Sequence, residues 1–142
     1  MSLVLDGSVA LSWYFEDART DASRAVLDEV SEQGAFVPPH WPFEIANGLQ
    51  TAIKRNRVDA AFRDRAFANL ATMVIEVDPE SHAHAWSACI WLSDRHGLTP
   101  YDAAYLELAE RRRLALATLD RALVRAADAE GVPVIGSARE RQ

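Results

Sequence analysis

The sequence predicts an α/β sandwich in which a mostly parallel sheet of about five short strands is covered by helices on both faces. Short, continuous apolar runs such as Leu3-Val4-Leu5 are typical of buried strands, because they lack the alternation of strands with one solvated face. Segments with helical spacing separate these runs, as they do in parallel sheets. The length of 142 residues suits a single domain spanning residues 1–142.

Five apolar runs are the predicted strands, and turn or helix-capping residues follow them. The third run, for example, is stopped by Asp78-Pro79. The last run contains Pro133, which cannot donate a backbone hydrogen bond, so we place it at an edge of the sheet. The predicted strands are residues 3–5, 35–37, 73–77, 114–118 and 132–135.

Seven segments have the spacing of helices with one apolar face. The sixth has a clear start, because Thr99 can cap it, Pro100 lacks only an N–H that would be unpaired anyway, and Asp102 suits the positive helix end. Gly97 is well suited to end the segment before it. The predicted helices are residues 8–15, 20–32, 42–55, 58–73, 81–95, 99–113 and 120–130.

Composition narrows the range of functions. The formal net charge of -6 argues against binding nucleic acid over the whole surface, although it is compatible with a local basic track. No apolar run approaches the roughly 20 residues of a membrane span, and the N-terminus lacks a basic region and a cleavage site, so we expect a cytoplasmic protein without a membrane partner. The one cysteine, Cys89, excludes an internal disulfide and is expected to be a small buried hydrophobe.

Four acidic residues are predicted to converge at the carboxyl edge of the sheet. Asp6 ends the first strand, and Asp120 follows the fourth strand, two residues after Thr118. Glu44 lies in the first turn of the helix that follows the second strand, and Asp102 begins a helix that runs back into the fourth strand. Ligands of open parallel sheets gather at this edge.

Each of these acids also has an ordinary structural interpretation, as a turn residue, a first-turn acid, a capping-box partner or an N-cap. Four together are less ordinary, because crowded like charges raise one another's pKa and destabilise the fold unless a cation joins them. Carboxylate oxygens without nearby cysteine or histidine favour Mg²⁺ or Mn²⁺ over zinc.

Four segments carry a family resemblance, and all contain or flank these acids. They are residues 4–10 (Val-Leu-Asp-Gly-Ser-Val-Ala), the helix that carries Glu44, residues 98–106 (Leu-Thr-Pro-Tyr-Asp-Ala-Ala-Tyr-Leu) and residues 117–120 (Ala-Thr-Leu-Asp). In this order and spacing the chain resembles the PIN-domain ribonucleases, and most closely the VapC toxins of prokaryotic toxin–antitoxin pairs. The residues that match the family's acidic quartet are Asp6, Glu44, Asp102 and Asp120, and those that match its accessory polar positions are Ser8 and Thr118.

The resemblance implies a PIN-domain sandwich and Mg²⁺- or Mn²⁺-dependent hydrolysis of RNA, such as tRNA or another structured RNA, to a 5′-phosphate and a 3′-hydroxyl. It assigns Asp6, Asp102 and Asp120 as principal metal ligands, and Glu44 as a ligand or as the group that orients the attacking water. Ser8 and Thr118 would hold carboxylates or water by hydrogen bonds. The implied partners are the RNA substrate, a VapB-like antitoxin that blocks the metal site, and a second copy of the chain.

Other residues near the predicted edge have weaker interpretations. Arg19, Arg121 and Arg125 are the arginines best placed to contact substrate phosphates, whereas the cluster Arg111–Arg113 ends a helix and suits its dipole. His40 lies near the edge, but a histidine in a loop is expected to be solvated. Trp13, Tyr14 and Phe15 lie at the end of the first helix, and Trp86 and Trp91 lie on a later one; most of these aromatic residues are expected to be core, and an exposed remainder would mark a partner surface.

Two alternatives conflict with single positions, and two remain open. A phosphatase with an aspartyl nucleophile would need a second aspartate at Ser8, and a phospho-receiver domain would need a lysine where Ile135-Gly136 stands. A PIN-like module that binds RNA or protein without turnover differs from a nuclease only in activity. A structure-specific DNA nuclease shares the metal chemistry, because that chemistry does not need the 2′-hydroxyl.

Overall fold

The computed structural model describes residues 1–137, which contain one sheet of five parallel strands. The strands are β1 (Leu3–Leu5), β2 (Ala35–Val37), β3 (Ile75–Val77), β4 (Ala115–Ala117) and β5 (Val134–Ile135). Their order in the sheet is β3-β2-β1-β4-β5. The first strand is therefore central, and its end lies beside the end of β4, since Leu5 is in register with Ala117.

Seven α-helices lie in the described part of the chain. They are α1 (Gly7–Ser12), α2 (Asp21–Gln33), α3 (Trp41–Lys54), α4 (Ala60–Ala71), α5 (Ala88–His96), α6 (Pro100–Arg112) and α7 (Arg121–Ala129). The first four pack on one another, and the last three form a second packed group. The connection from β3 to β4 reverses direction across the sheet, so right-handed crossovers place these two groups on opposite faces. The α/β sandwich predicted from the sequence is confirmed.

Side-chain caps explain where several helices begin. The side chain of Thr20 accepts a hydrogen bond from the backbone of Ser23, and the two residues form a complete capping box at α2. Asp59, Thr99 and Asp120 each accept from the backbone N–H three residues later, at the starts of α4, α6 and α7. Capping of this kind satisfies N–H groups that have no partner within the helix. Two of these caps, at α6 and α7, therefore also fix the helix starts at which the candidate acids Asp102 and Asp120 lie.

The core explains why the strands are continuous apolar runs. All three residues of β1 are completely buried, because helices cover both faces of the sheet. Helix α3 lies very close to α1 at Gly48, where an added Cβ would lie 2.5 Å from a methyl carbon of Leu11. Because Gly48 has no side chain, α3 can pack closely on α1. This packing places the N-terminal half of α3 against the β1–α1 turn.

The structure corrects one predicted helix. Residues 81–95 do not form one helix, because Ser81–His84 is a short 3₁₀ turn and α5 begins only at Ala88. Trp86 in the intervening segment is 95% exposed and Trp91 is 54% exposed, so these two lie outside the core, whereas Trp13 is buried in it and Tyr14 and Phe15 pack against it. The apolar spacing that suggested a continuous helix therefore does not correspond to one buried face. Cys89 is buried as expected, and burial raises the pKa of its thiol to about 11.

The remaining boundaries differ from the predictions by a few residues, as is usual at the ends of helices and strands. The third strand, for example, covers Ile75–Val77 rather than residues 73–77. Within residues 1–137, every helix is too short or too polar to cross a bilayer.

Candidate active site

Asp6 is the most buried of the four candidate acids. It directly follows β1, and its backbone N–H donates to the carbonyl of Ala117, so it continues the pairing of β1 with β4. Only 4% of the residue is exposed. The hydroxyls of Ser8 and Thr118 both donate to Oδ2 at 2.7 Å. These bonds fix the carboxylate from one side and leave Oδ1 for other partners.

Ser8 and Thr118 also connect Asp6 to the start of α7. The Ser8 hydroxyl oxygen accepts a hydrogen bond from the N–H of Leu119, and that of Thr118 accepts from the N–H of Asp120. Each hydroxyl therefore donates to the buried carboxylate while accepting from the backbone that leads to the next acid. Asp120 itself is exposed, and its Oδ1 caps α7 by accepting from Leu123 at 2.9 Å.

Glu44 lies in the first turn of α3, where two side chains contact one of its oxygens. The hydroxyl of Tyr105, on α6, donates to Oε1 at 2.7 Å. Nε2 of His40 lies 3.0 Å from the same oxygen, in an electrostatic contact that does not have hydrogen-bond geometry. The backbone N–H of Gly7 in turn hydrogen-bonds Tyr105. Helices from opposite faces of the sheet are thus joined through Glu44 beside the end of β1.

Asp102 lies in the first turn of α6 and is half-buried. Its backbone N–H donates to the Thr99 hydroxyl at 3.2 Å. The helix starts as the Thr-Pro-x-Asp pattern indicates, and its N-terminus brings Asp102 close enough to Glu44 and Asp120 for their charges to affect its pKa.

The carboxylates perturb one another electrostatically. Burial raises the pKa of Asp6 to about 6; the hydrogen bonds from Thr118 and Ser8 oppose this, while the charges of Glu44 and Asp102 add to it. Burial likewise raises the pKa of Asp102, and the charges of Asp120 and Glu44 raise it further against smaller effects of Thr99 and His40. The structure therefore brings all four acids into one electrostatic cluster, with Asp102 interacting with each of the other three.

The donor chemistry of this acidic cluster suits a hard divalent cation, since it consists of carboxylate oxygens whose charges disfavour one another. As they stand, however, no three histidine, cysteine, aspartate or glutamate side chains within residues 1–137 are arranged so that they could hold a metal ion. Mg²⁺ commonly keeps several water ligands and binds through one or two carboxylates, so a preformed group of three is not a requirement for it. The assignment of Asp6, Glu44, Asp102 and Asp120 as ligands stays a prediction.

Two residues that contact Glu44 were not predicted as part of the site. Tyr105 fitted the apolar stripe of its helix, and it is indeed completely buried, but its hydroxyl reaches Glu44. His40 was expected to be solvated, but its side chain is only 20% exposed. Its ring packs against those of Tyr101 and Tyr105 in edge-on arrangements. The sequence offered one signal for these two residues. Each ring carries a polar atom, and each residue lies close along the chain to a predicted acid.

The arginines near helix ends have different surroundings. Arg111 and Arg112 both pair with Asp78, at 2.8 and 2.7 Å, so they serve the fold. Arg121 and Arg125 are exposed on α7, and Arg19 is partly exposed. A role of these last three in phosphate binding stays a prediction.

A parallel sheet in this strand order, with acids gathered at the carboxyl edge of its central strands, defines an α/β domain whose candidate site is a carboxylate cluster. The family model described as PIN domain matches residues 3–129, and the chain belongs to this family.

The chain is also similar to individual proteins. The chain is 28% identical over 123 residues to Ribonuclease VapC3 of Pyrobaculum aerophilum, a match that covers 87% of the chain and 92% of that protein. Its fold is similar to the crystal structure of PAE2754 from Pyrobaculum aerophilum, with a TM-score of 0.68 and 22% identity over 94% of this chain and 89% of that one. It is also similar to FitAcB from Neisseria gonorrhoeae, with a TM-score of 0.62 and 18% identity over 93% and 95% of the two chains.

Proposed function

We propose that this protein is a metal-dependent endoribonuclease toxin of the VapC type, which hydrolyses RNA phosphodiester bonds to 5′-phosphate and 3′-hydroxyl ends. The observation that carries the proposal is the cluster of four acids around Asp6, a buried carboxylate whose pKa is raised to about 6. Similarity to a protein named Ribonuclease VapC3, over nearly the full length of both chains, supports the same activity. We further propose that residues 1–142 act as a single domain in the cytoplasm.

We assign each acid a role in metal binding or catalysis from its position. Asp6, Asp102 and Asp120 would be the principal ligands of Mg²⁺ or Mn²⁺, because they lie along the end of the central strands and the adjoining helix starts. When bound, such a cation would stabilise negative charge on the scissile phosphate and lower the pKa of the attacking water. Ser8 and Thr118 would keep Oδ2 of Asp6 fixed and so direct Oδ1 towards the cluster.

Glu44 would be either a further ligand or the group that orients the attacking water. Tyr105 and His40 both contact Oε1, so the carboxylate is held in one orientation with Oε2 free of them. A carboxylate held in this way can accept a proton from water in a fixed direction. Tyr105 and His40 are thus positioning residues in this proposal.

The proposed partners are an RNA such as tRNA, a VapB-like antitoxin that covers the acidic cluster, and a second copy of the chain. The exposed apolar residues on and before α5 offer a surface for protein contacts, since Trp86, Ile90 and Trp91 are 95%, 39% and 54% exposed. Arg19, Arg121 and Arg125 are the proposed contacts to RNA phosphates.

Cleavage of labelled total RNA by the purified, antitoxin-free chain tests the activity. With Mg²⁺ or Mn²⁺ we expect discrete fragments that carry 5′-phosphates, and we expect EDTA to abolish them. Asp102→Asn should lower the rate by about a hundredfold or more, because it removes a charge that would act on the cation. The matched control is Asp28→Asn, since Asp28 is exposed on α2.

Metal binding provides a readout that does not depend on turnover. Saturating Mg²⁺ should raise the midpoint of thermal unfolding of the wild-type chain, and it should do so much less in Asp102→Asn. A folded, metal-binding protein that cuts no RNA would contradict the ribonuclease proposal, and cleavage of structured DNA instead would identify a DNA nuclease. Oligonucleotide binding without any cleavage would identify a binding module.

A further inference from the structure

A small cavity of about 190 Å³ lies beside the acidic cluster. Three segments meet around it: the residues before Glu44, the 3₁₀ turn with the start of α5, and the first turns of α6. Residues from all three line the cavity, among them Pro39, His40, His82, Ala85, Pro100 and Tyr101. Nothing in the proposed hydrolysis uses this cavity.

The cavity is directly connected to two of the acids. Tyr101 immediately precedes Asp102, and its ring lies 5.5 Å from that of His40 in an edge-on arrangement. His40 in turn lies 3.0 Å from Glu44. If one part of a ligand fills the cavity, the part bonded to it will therefore lie next to the acidic cluster.

Apart from two histidines, no residue that lines the cavity is acidic or basic. Many of the lining side chains are cyclic. None of the lining residues in the described chain is a lysine, arginine, aspartate or glutamate, so the cavity does not suit a phosphate or an ionised side chain. Its volume is well below the roughly 300–1,000 Å³ of pockets for drug-sized ligands, which suits one ring system. Tyr101, at 67% exposed, offers a ring to a ligand, and the contact between His40 and the buried Tyr105 supports the inner wall.

We propose that this cavity binds the nucleobase of a nucleotide next to the scissile phosphate, with the base stacked on Tyr101. The inference rests on the proposed ribonuclease function and adds a subsite for base recognition. A nucleotide combines a neutral planar ring with an adjacent anion, and this pattern matches an uncharged aromatic cavity beside a cluster that would carry a divalent cation. Stacking on aromatic side chains is a general means of binding single-stranded RNA, and it does not depend on the sign of the net charge, which is -6 for this chain.

Substitution of Tyr101 tests the proposal, because the exposed side chain can be removed without disturbing the core. The substrate is a synthetic oligoribonucleotide that spans a cleavage site mapped with the wild-type protein. Tyr101→Ala should raise KM about tenfold and change kcat less than twofold, whereas Tyr101→Phe should retain the wild-type KM. The matched control is Phe43→Ala, since Phe43 is 78% exposed next to Glu44 but does not line the cavity.

An abasic nucleotide locates the base. Replacing one flanking nucleotide by its abasic form should raise KM about tenfold for the wild-type protein and have no further effect in Tyr101→Ala, because both changes remove the same contact. Fluorescence anisotropy of a labelled oligonucleotide with the inactive Asp102→Asn variant, with and without Tyr101→Ala, measures binding without turnover and should show the same dependence.

The outcomes separate this inference from the proposed function. If the wild-type chain cleaves RNA but Tyr101→Ala leaves KM and binding unchanged, or if Phe43→Ala has an equal effect, the base subsite is wrong and the ribonuclease proposal stands. If Tyr101→Ala weakens only the binding of an antitoxin, the cavity receives a protein side chain and the inference is also wrong. If the wild-type chain cuts no RNA but binds the oligonucleotide through Tyr101, the base site stands and the ribonuclease proposal fails.

Discussion

Asp6 and Asp78 occupy equivalent places in the sheet but have opposite electrostatic surroundings. Each directly follows a strand, each donates its backbone N–H to the neighbouring strand, and they are 4% and 1% exposed. Two hydroxyls hydrogen-bond Asp6, whereas Asp78 pairs with the guanidinium groups of Arg111 and Arg112. Burial raises the pKa of Asp6 to about 6; in Asp78 hydrogen bonds, chiefly from the arginines, overcome the effect of burial and hold its pKa well below the usual range.

The difference separates an aspartate whose charge is compensated within the fold from one whose charge is not. The carboxylate of Asp78 is neutralised by the chain itself, and the hydroxyl of Ser81 adds a further hydrogen bond. The charge of Asp6 receives no comparable compensation, because its charged neighbours Glu44 and Asp102 carry the same sign. A proton or a cation from outside the chain must provide that compensation, which is the property expected of a metal site rather than of a structural ion pair.

The largest expected effect is the loss of stability when Asp78 no longer pairs with its two arginines. Asp78→Asn should lower the free energy of unfolding by about 3 kcal/mol at pH 7, because two partly buried guanidinium groups lose their shared partner. Urea denaturation followed by circular dichroism measures the change. The control Asp17→Asn affects an exposed pair with Arg57 and should cost less than about 1 kcal/mol. Equal losses in the two variants would contradict the structural role of Asp78.

The second prediction concerns the pH dependence of the metal-free protein. The pKa of Asp6 is higher in the folded state, so its folded form binds more protons between about pH 4 and 6, and stability should fall as the pH rises through this window. In EDTA, Asp6→Asn should reduce this fall and be more stable than wild type at pH 7, by on the order of 3 kcal/mol, at about 1.4 kcal/mol per pKa unit.

The contribution of Asp78 to stability should change with pH in the opposite direction. Its pKa is lower in the folded state, so it stabilises the fold above the ordinary aspartate pKa, and this contribution is lost as the pH falls below about 4. The destabilisation by Asp78→Asn should therefore shrink in acid, while the gain from Asp6→Asn should grow towards neutral pH. A difference between Asp6→Asn and wild type that does not change from pH 4 to 7 would contradict the raised pKa of Asp6.

The positions of the acids could be predicted from the sequence because they depend on strand ends. In a parallel sheet the carboxyl ends of the strands share one edge, so Asp6 after β1 and Asp120 after β4 were expected at the same edge, and the pairing of β1 with β4 makes the two strand ends neighbours. The start of α6 was equally readable, since Thr99 and Pro100 mark it by local chemistry. These are short-range signals combined with one rule of topology.

The contacts around the acids depend on tertiary packing and could not be predicted in the same way. Helical spacing places Tyr105 on a buried face, but it does not show that its hydroxyl reaches Glu44 on a helix from the opposite face of the sheet. The pairing of Arg111 with Asp78 likewise joins distant parts of the chain. The break before α5 was missed because residues 81–95 contain no proline or glycine to indicate it.

The smallest expected effect sharpens the contrast at the acidic cluster itself. Tyr105→Phe keeps the buried ring but removes the hydroxyl that donates to Oε1 of Glu44, so Glu44 loses a fixed orientation while the core remains filled. We expect kcat for RNA cleavage to fall about tenfold with KM within twofold of wild type, as for the loss of one hydrogen bond to a charged group. The matched control Tyr14→Phe removes a hydroxyl that donates to Asn69, far from the four acids in the contacts of the described chain, and should leave kcat unchanged. An unchanged kcat in a folded Tyr105→Phe protein would show that Glu44 needs no support from α6, whereas a change confined to KM would place Tyr105 in substrate binding instead.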